Sequence, residues 1–166
     1  MAWRIKQPGF IGGTAITETG TTQKFPLGMT VEAYDATNEN GTFIYLKGAA
    51  STVAEDWVLI KADDYTAPRL VNSHVAGGVA VAMSANTASN YGWYCIRGKV
   101  PADVGVNLAD GATLYMTSSA GRLDDGAVTG DMVHGAISAA TTGGSSNSAD
   151  CDLNYPHLVG PEAFPP

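Results

Sequence analysis

Few residues in this chain have side chains that do chemistry, and their spacing decides what they are for. Three histidines, His74, His134 and His157, stand far apart, whereas a zinc site needs further His or Cys at ligand spacing. His134 lies between Val133 and Gly135 in a strand-like run and is expected to pack there. The acidic pairs Asp63-Asp64 and Asp124-Asp125 are adjacent in sequence. Adjacent side chains diverge, while general acid–base chemistry needs two carboxyls converging across a pocket. Asp124-Asp125-Gly126 reads instead as an Asp-Gly turn. Asp150 and Asp152 would supply two oxygens to Ca²⁺, but no EF-hand-like pattern surrounds them. No Gly-x-Ser-x-Gly elbow and no phosphate-cradling Gly-x-x-x-x-Gly-Lys-Ser/Thr loop occurs. The expectation is therefore a non-enzymatic chain without catalytic residues, metal ligands or cofactor.

The two cysteines, Cys95 and Cys151, form no Cys-x-x-Cys pair, which argues against metal or redox use. Cys95 reads as a small packed hydrophobe, with a Cys95–Cys151 disulfide formed after lysis as the alternative. Tyr91 and Trp93 fall on the same face of an alternating strand. Such a pair serves as core or subunit contact more often than as a sugar platform.

The elements that must position these residues are strands. At 166 residues and 17.1 kDa the chain fits one domain, able to bury roughly 68 to 70 % of its unfolded surface. Twenty Gly and only 15 % charged residues favour short strands joined by turns. The expected class is all-β, a small β-barrel or β-sandwich with extended N- and C-terminal arms. From Met29 the apolar residues alternate, with Val31 and Ala33 opposite Thr30, Glu32 and Tyr34. Asp35 to Gly41 reads as a turn or loop. Further strands are expected at 41–48, 57–60, 78–83, 91–98 and 111–117, with another around Val133 to Gly135 and a short edge strand at Arg69 to Val71. Helical turns fit only 49–56 and 84–90. The stretch 141–148 is low-complexity and reads as a loop. Cys151 to Tyr155 is a candidate last strand, with Pro156 and the prolines beyond it excluding regular structure.

Three segments follow: an arm at 1–27, a β domain at 28–157 and a Pro-rich tail at 158–166. The arm is too poor in apolar residues for its own core, yet it holds Trp3, Ile5, Phe10 and Ile11. Those side chains need cover, so they are assigned to docking on a neighbour. A net charge of −7 and a pI near 4.7 oppose binding to phosphate backbones or anionic lipid. No run approaches the roughly 20 apolar residues of a membrane helix, and the opening residues do not form an export signal. The expectation is synthesis in a cytosol, with neither nucleic acid nor membrane as partner.

The strings "FIYLKGAAS", "VAVAMSANTASNYGWYCIRGKV", "GATLYMTSSAGRLDD" and "GDMVHGAIS", spread over Phe43 to Leu158, resemble tailed-bacteriophage capsid decoration (cement) proteins. The resemblance implies a non-enzymatic virion protein on the outer surface of a phage head. There it would sit as a homotrimer between capsomers, stabilise the shell, and have the major capsid protein and itself as partners. Residues 1–27 match least. Trp3, Ile5, Phe10 and Ile11 are then the candidates for capsid docking, and Tyr91, Trp93, Tyr155 and Phe164 for the subunit interface. The alternative is a receptor- or carbohydrate-binding module of a virion fibre or tail, built on the same β scaffold.

Overall fold

Val31, Ala33 and Asp35 are buried while Thr30, Glu32 and Tyr34 are exposed, as a strand with one face on a core requires. The same logic builds the rest of the molecule. The structure is a computed structural model that describes residues 3–6, 15–73, 76–128 and 131–159. In chain order the strands are β1 (Arg4–Ile5), β2 (Thr19–Gly20), β3 (Thr30–Asp35), β4 (Glu39–Gly48), β5 (Trp57–Ile60) and β6 (Thr66–Ala67). They continue as β7 (Gly77–Ala82), β8 (Tyr91–Asp103), β9 (Thr113–Met116), β10 (Leu123–Asp124), β11 (Met132–Ser138) and β12 (Ser148–Leu158). The protein is all-β, and the described residues contain no helix.

All twelve strands belong to one open sheet, whose main path runs β1-β3-β4-β8-β7-β12-β11-β9-β10. Strand pairs are antiparallel except β4 with β6. The thirteen-residue β8 is the spine. Its first half pairs with β4, Trp93 opposite Tyr45, and its second half with β12, Val100 opposite Cys151. Strands along the whole path send residues into one core that includes Val31, Phe43, Trp57, Trp93, Leu114, Leu123, Val133 and Leu153. A sheet that buries one face against itself must curve around that face. On the opposite face of β4, β5, β7 and β8 a smaller cluster forms from Leu46, Val58, Ala80, Ala82, Tyr94 and Ile96. Both faces of the first half of β8 are therefore covered, which is why Trp93, Tyr94 and Cys95 are all buried.

Several expectations are corrected here. The described part of 1–27 packs on its own chain: Trp3 and Ile16 belong to the main core, and Ile5, Phe25 and Leu27 pack against it. The short edge strand precedes Pro68 as Thr66–Ala67, and Arg69 makes only an isolated bridge to Val58. The stretches 49–56 and 84–90 form turns and bends. Pro156 does not end regular structure but lies buried within β12, so Leu158 belongs to the sheet rather than to the tail. Proline is accommodated at this point because the ladder is interrupted. Between the pairs His134↔His157 and Ala136↔Leu153, Gly135 alone faces Asn154, Tyr155 and Pro156.

Both cysteines are free and buried. Cys151 faces Val100, five positions along β8 from Cys95, which is about 16 Å of strand. A disulfide needs Cα atoms within about 7 Å, so the Cys95–Cys151 alternative is set aside. Burial pushes each thiol up to about 12, with the neighbouring Asp150 and Asp152 adding to the effect at Cys151.

Candidate functional site

The bulge between β11 and β12 gives the molecule its most distinctive surface. Gly135 adopts φ +75° and Tyr155 φ +51°, and for a residue with a side chain this left-handed region is unfavourable. The strands approach closely here, since a Cβ on Gly135 would stand 2.6 Å from the Asn154 carbonyl oxygen. Two extra residues on β12 leave Tyr155 out of the inward–outward alternation, and its side chain is 55 % exposed. Ile137, opposite Asp152 in the ladder, is 45 % exposed. Beside it lies a shallow, mainly apolar cavity of about 240 Å³ lined by Gly135, Ala136, Ile137, Asp152, Leu153 and Asn154. Val159, just past β12, is also exposed. Bulges re-aim side chains and cluster near functional surfaces, and strained backbone persists only where its surroundings enforce it.

Asp152 also borders a second, polar depression of about 390 Å³. Its other walls include Asn38 from the β3–β4 turn, Glu39 and Asn40 from the start of β4, and Arg97 and Lys99 from β8. The turn is held by Asp35, whose Oδ1 accepts from the backbone N–H groups of Thr37 (3.0 Å) and Asn38 (3.1 Å). Lys99 faces Asp152 across the β8–β12 ladder. An apolar shelf and a cleft rich in donors and acceptors thus meet at one aspartate.

The candidates named from sequence are not brought together as one surface. Trp3 is 7 % exposed and sits edge-on to Phe43 at 4.9 Å, so it is withdrawn from docking. Trp93 is fully buried against Phe25 and Tyr45, which removes it from any subunit interface. Tyr91 is half-buried and stacks on Tyr45 at 6.4 Å. Ile5 is half-buried beside the core. Tyr155 remains a surface residue. Phe10, Ile11 and Phe164 lie outside the described residues.

The ionisable groups mainly secure backbone. Asp64 accepts from the N–H (2.9 Å) and hydroxyl (2.7 Å) of Thr66. Asp124 accepts from the Asp125 N–H at 2.8 Å, and Asp125 from the Ala109 N–H at 3.3 Å. Asp56 is fully buried. It accepts from the Val53 N–H at 2.7 Å and from an Arg69 terminal nitrogen at 3.1 Å. Arg69 Nε stands 2.9 Å from Asp56 Oδ2 without the alignment of a hydrogen bond, so that contact is ionic only. Burial raises the Asp56 pKa above its usual value, opposed by the Val53 bond and by Arg69.

Sequence reasoning missed Ile137 and the ladder contact between His134 and His157. The available signal was Gly135 inside a strand pattern, since an isolated glycine there marks a bulge or a close backbone approach. Compared with known proteins, the chain matches no family model, no curated protein and no solved structure.

Proposed function

We propose that this chain is a structural virion protein that decorates a phage head as a homotrimer. Its partners are the major capsid protein and further copies of itself. The observation that carries the reading is the bulged β11–β12 face, where Tyr155 and Ile137 stand exposed on a paired sheet. A rigid apolar shelf loses little conformational freedom on docking, and a contact repeated over a shell gains from multivalency even when each copy binds weakly. The four strings that resemble decoration proteins lie mainly on β4, β7, β8, β9, β10 and β11, the sheet that supports this shelf. Trimers are one of the closed cyclic symmetries of oligomers, and a threefold position between capsomers offers a matching axis.

The test combines light scattering after size exclusion, at micromolar and nanomolar concentration, with co-sedimentation on purified heads. A trimer is expected, and Tyr155→Ser with Ile137→Ser should either lower the native mass threefold, to that of the monomer, or weaken head binding at least tenfold. Unchanged trimer mass together with unchanged head binding in that double variant would overturn the assignment of this face. A monomer that does not bind heads would overturn the function.

The polar cleft between the β3–β4 turn and β8 favours a second reading, a carbohydrate- or receptor-binding module. Its Asn, Glu, Arg and Lys side chains suit hydroxyl recognition. A glycan screen separates the two, since a decoration protein shows no sugar preference.

A further inference from the structure

The bulge brings together two histidines that the sequence keeps well apart. His134 on β11 and His157 on β12 are direct ladder partners, so their Cβ atoms are about 4.5 to 5.5 Å apart and on the same face. Val133, Leu158 and Pro156, which alternate with them, are buried. The histidines therefore lie on the outer face, His134 half-exposed and His157 exposed. Their rings stack at 5.6 Å between centroids with planes 22° apart. On the far side of His157 the ladder partner in β7 is Gly78, and the space above that glycine is taken by the Ile60 side chain.

The tautomer of His157 is legible from its neighbour. Nδ1 lies 3.2 Å from the Tyr155 carbonyl oxygen. A carbonyl only accepts, so the bond forms in the tautomer that carries its proton on Nδ1, and in that tautomer the lone pair is on Nε2. Metal-ligating histidines are oriented in this way, one ring nitrogen donating to a carbonyl while the other faces the metal. The carbonyl belongs to the residue held at φ +51°, so the bulge that exposes Tyr155 also sets the direction of the His157 lone pair.

We propose that His134 and His157 form a bidentate site for a divalent transition metal on the outer face of the β11–β12 bulge. Two metal–nitrogen bonds of about 2.0 to 2.1 Å at ordinary coordination angles place the donor atoms roughly 3 Å apart. The donors lie on the rims of the two stacked rings, so rotation of the His134 side chain brings its nitrogen toward His157 Nε2 while the His157 ring keeps its bond to Tyr155 and the backbone stays in place. Among the described residues no further His, Cys, Asp or Glu completes a group of three, so water fills the other positions. Imidazole donors select Cu²⁺, Ni²⁺ and Zn²⁺ over Mg²⁺ and Ca²⁺, with Cu²⁺ the tightest. Bound metal cross-links the two strands at the bulge and binds only the folded chain, so it raises thermal stability. The site stands independently of the capsid reading.

The experiment uses the untagged full chain, freed of metal by chelation, titrated with CuCl₂, NiCl₂, ZnCl₂ and CaCl₂. Calorimetry should show one equivalent of Cu²⁺, Ni²⁺ or Zn²⁺ and none of Ca²⁺, with Tm rising on saturation. His134→Gln or His157→Gln should each weaken Ni²⁺ binding at least tenfold, and the double variant should be little worse than either, because a chelate needs both rings. His74→Gln should bind as the wild type does. A wild-type measurement guards against misfolded variants: substoichiometric Cu²⁺ should broaden two histidine C2–H proton resonances together and leave the third sharp. Broadening of one resonance or of all three equally, or Ni²⁺ affinity within twofold of wild type in His157→Gln, would overturn the proposal.

Discussion

Replacing Gly135 by Ala tests the bulge on which the candidate surface depends, and Gly111→Ala is its natural control. Both glycines have nearly the same positive φ, +75° and +72°. They differ in surroundings: a Cβ at 135 meets the Asn154 carbonyl oxygen at 2.6 Å, whereas a Cβ at 111 has nothing within 4 Å. Alanine in the left-handed region costs roughly 1 to 2 kcal/mol at either site. At 135 the clash is with backbone, which cannot rotate away, and overpacking adds about 1 to 3 kcal/mol. The expected totals are about 2 to 5 kcal/mol for Gly135→Ala and about 1 to 2 kcal/mol for Gly111→Ala. At about 2 to 4 °C per kcal/mol for a chain of this size, these correspond to Tm losses of roughly 4 to 20 °C and 2 to 8 °C.

Urea unfolding followed by tryptophan fluorescence measures the difference, since Trp3, Trp57 and Trp93 are all buried and respond to global unfolding. The slope of stability against urea should stay constant across the three proteins, so that midpoints compare stabilities. Equal losses for the two variants would refute the reasoning. They would mean that β12 does not press on position 135, and that nothing there holds Tyr155 or the His157 carbonyl partner in place.

Trp3→Ala should cost about 3 to 5 kcal/mol, because the ring packs edge-on to Phe43 within the core; a stability unchanged in the same urea assay would restore the free-arm reading of residues 1–27. For Asp56 the folded pKa is raised by burial, so the stability it contributes is fully present below pH 3.8 and is lost as pH rises through the folded value. The stability gap between wild type and Asp56→Asn should therefore move against the wild type as pH rises from 3 to 7, and a gap moving in its favour would show that Arg69 outweighs desolvation.

Alternation made β3 legible from sequence, since Val31 and Ala33 needed one face and Thr30, Glu32 and Tyr34 the other. The first half of β8 was legible because Tyr91, Trp93, Tyr94 and Ile96 favour strands. Its second half was not, because Gly98 and Pro101 are residues that strands disfavour. In the structure β8 continues to Asp103, and beyond Arg97 its ladder partner is β12 alone. A strand with one free side tolerates a residue that lacks an N–H. For the described part of 1–27 the arm reading fails for a related reason: these residues lack periodicity, and periodicity reports an element that folds on its own pattern. Trp3 and Ile16 are buried instead by contacts distant in sequence, which no local pattern encodes. The pairing of His134 with His157 is likewise a matter of register, and register depends on the number of residues in a bulge.

With Trp3 and Trp93 buried, the proposed adhesive surface passes from the N-terminal arm to the β11–β12 shelf, and the two functional readings then differ in their physics. Each copy carries a net charge of −7, so copies repel one another and added salt weakens that repulsion. Association through Tyr155 and Ile137 removes apolar side chains from water, a term that exposed charges do not set. Salt should therefore leave such association intact or strengthen it. Binding of an acidic ligand in the polar cleft would depend on Arg97 and Lys99, and screening of those cations by salt would weaken it. The apolar shelf and the polar cleft share Asp152, which lies opposite both Lys99 and Ile137 in the ladders. Occupation of one therefore bears sterically on the other, and a head-bound trimer engaged through the shelf would have its cleft partly covered.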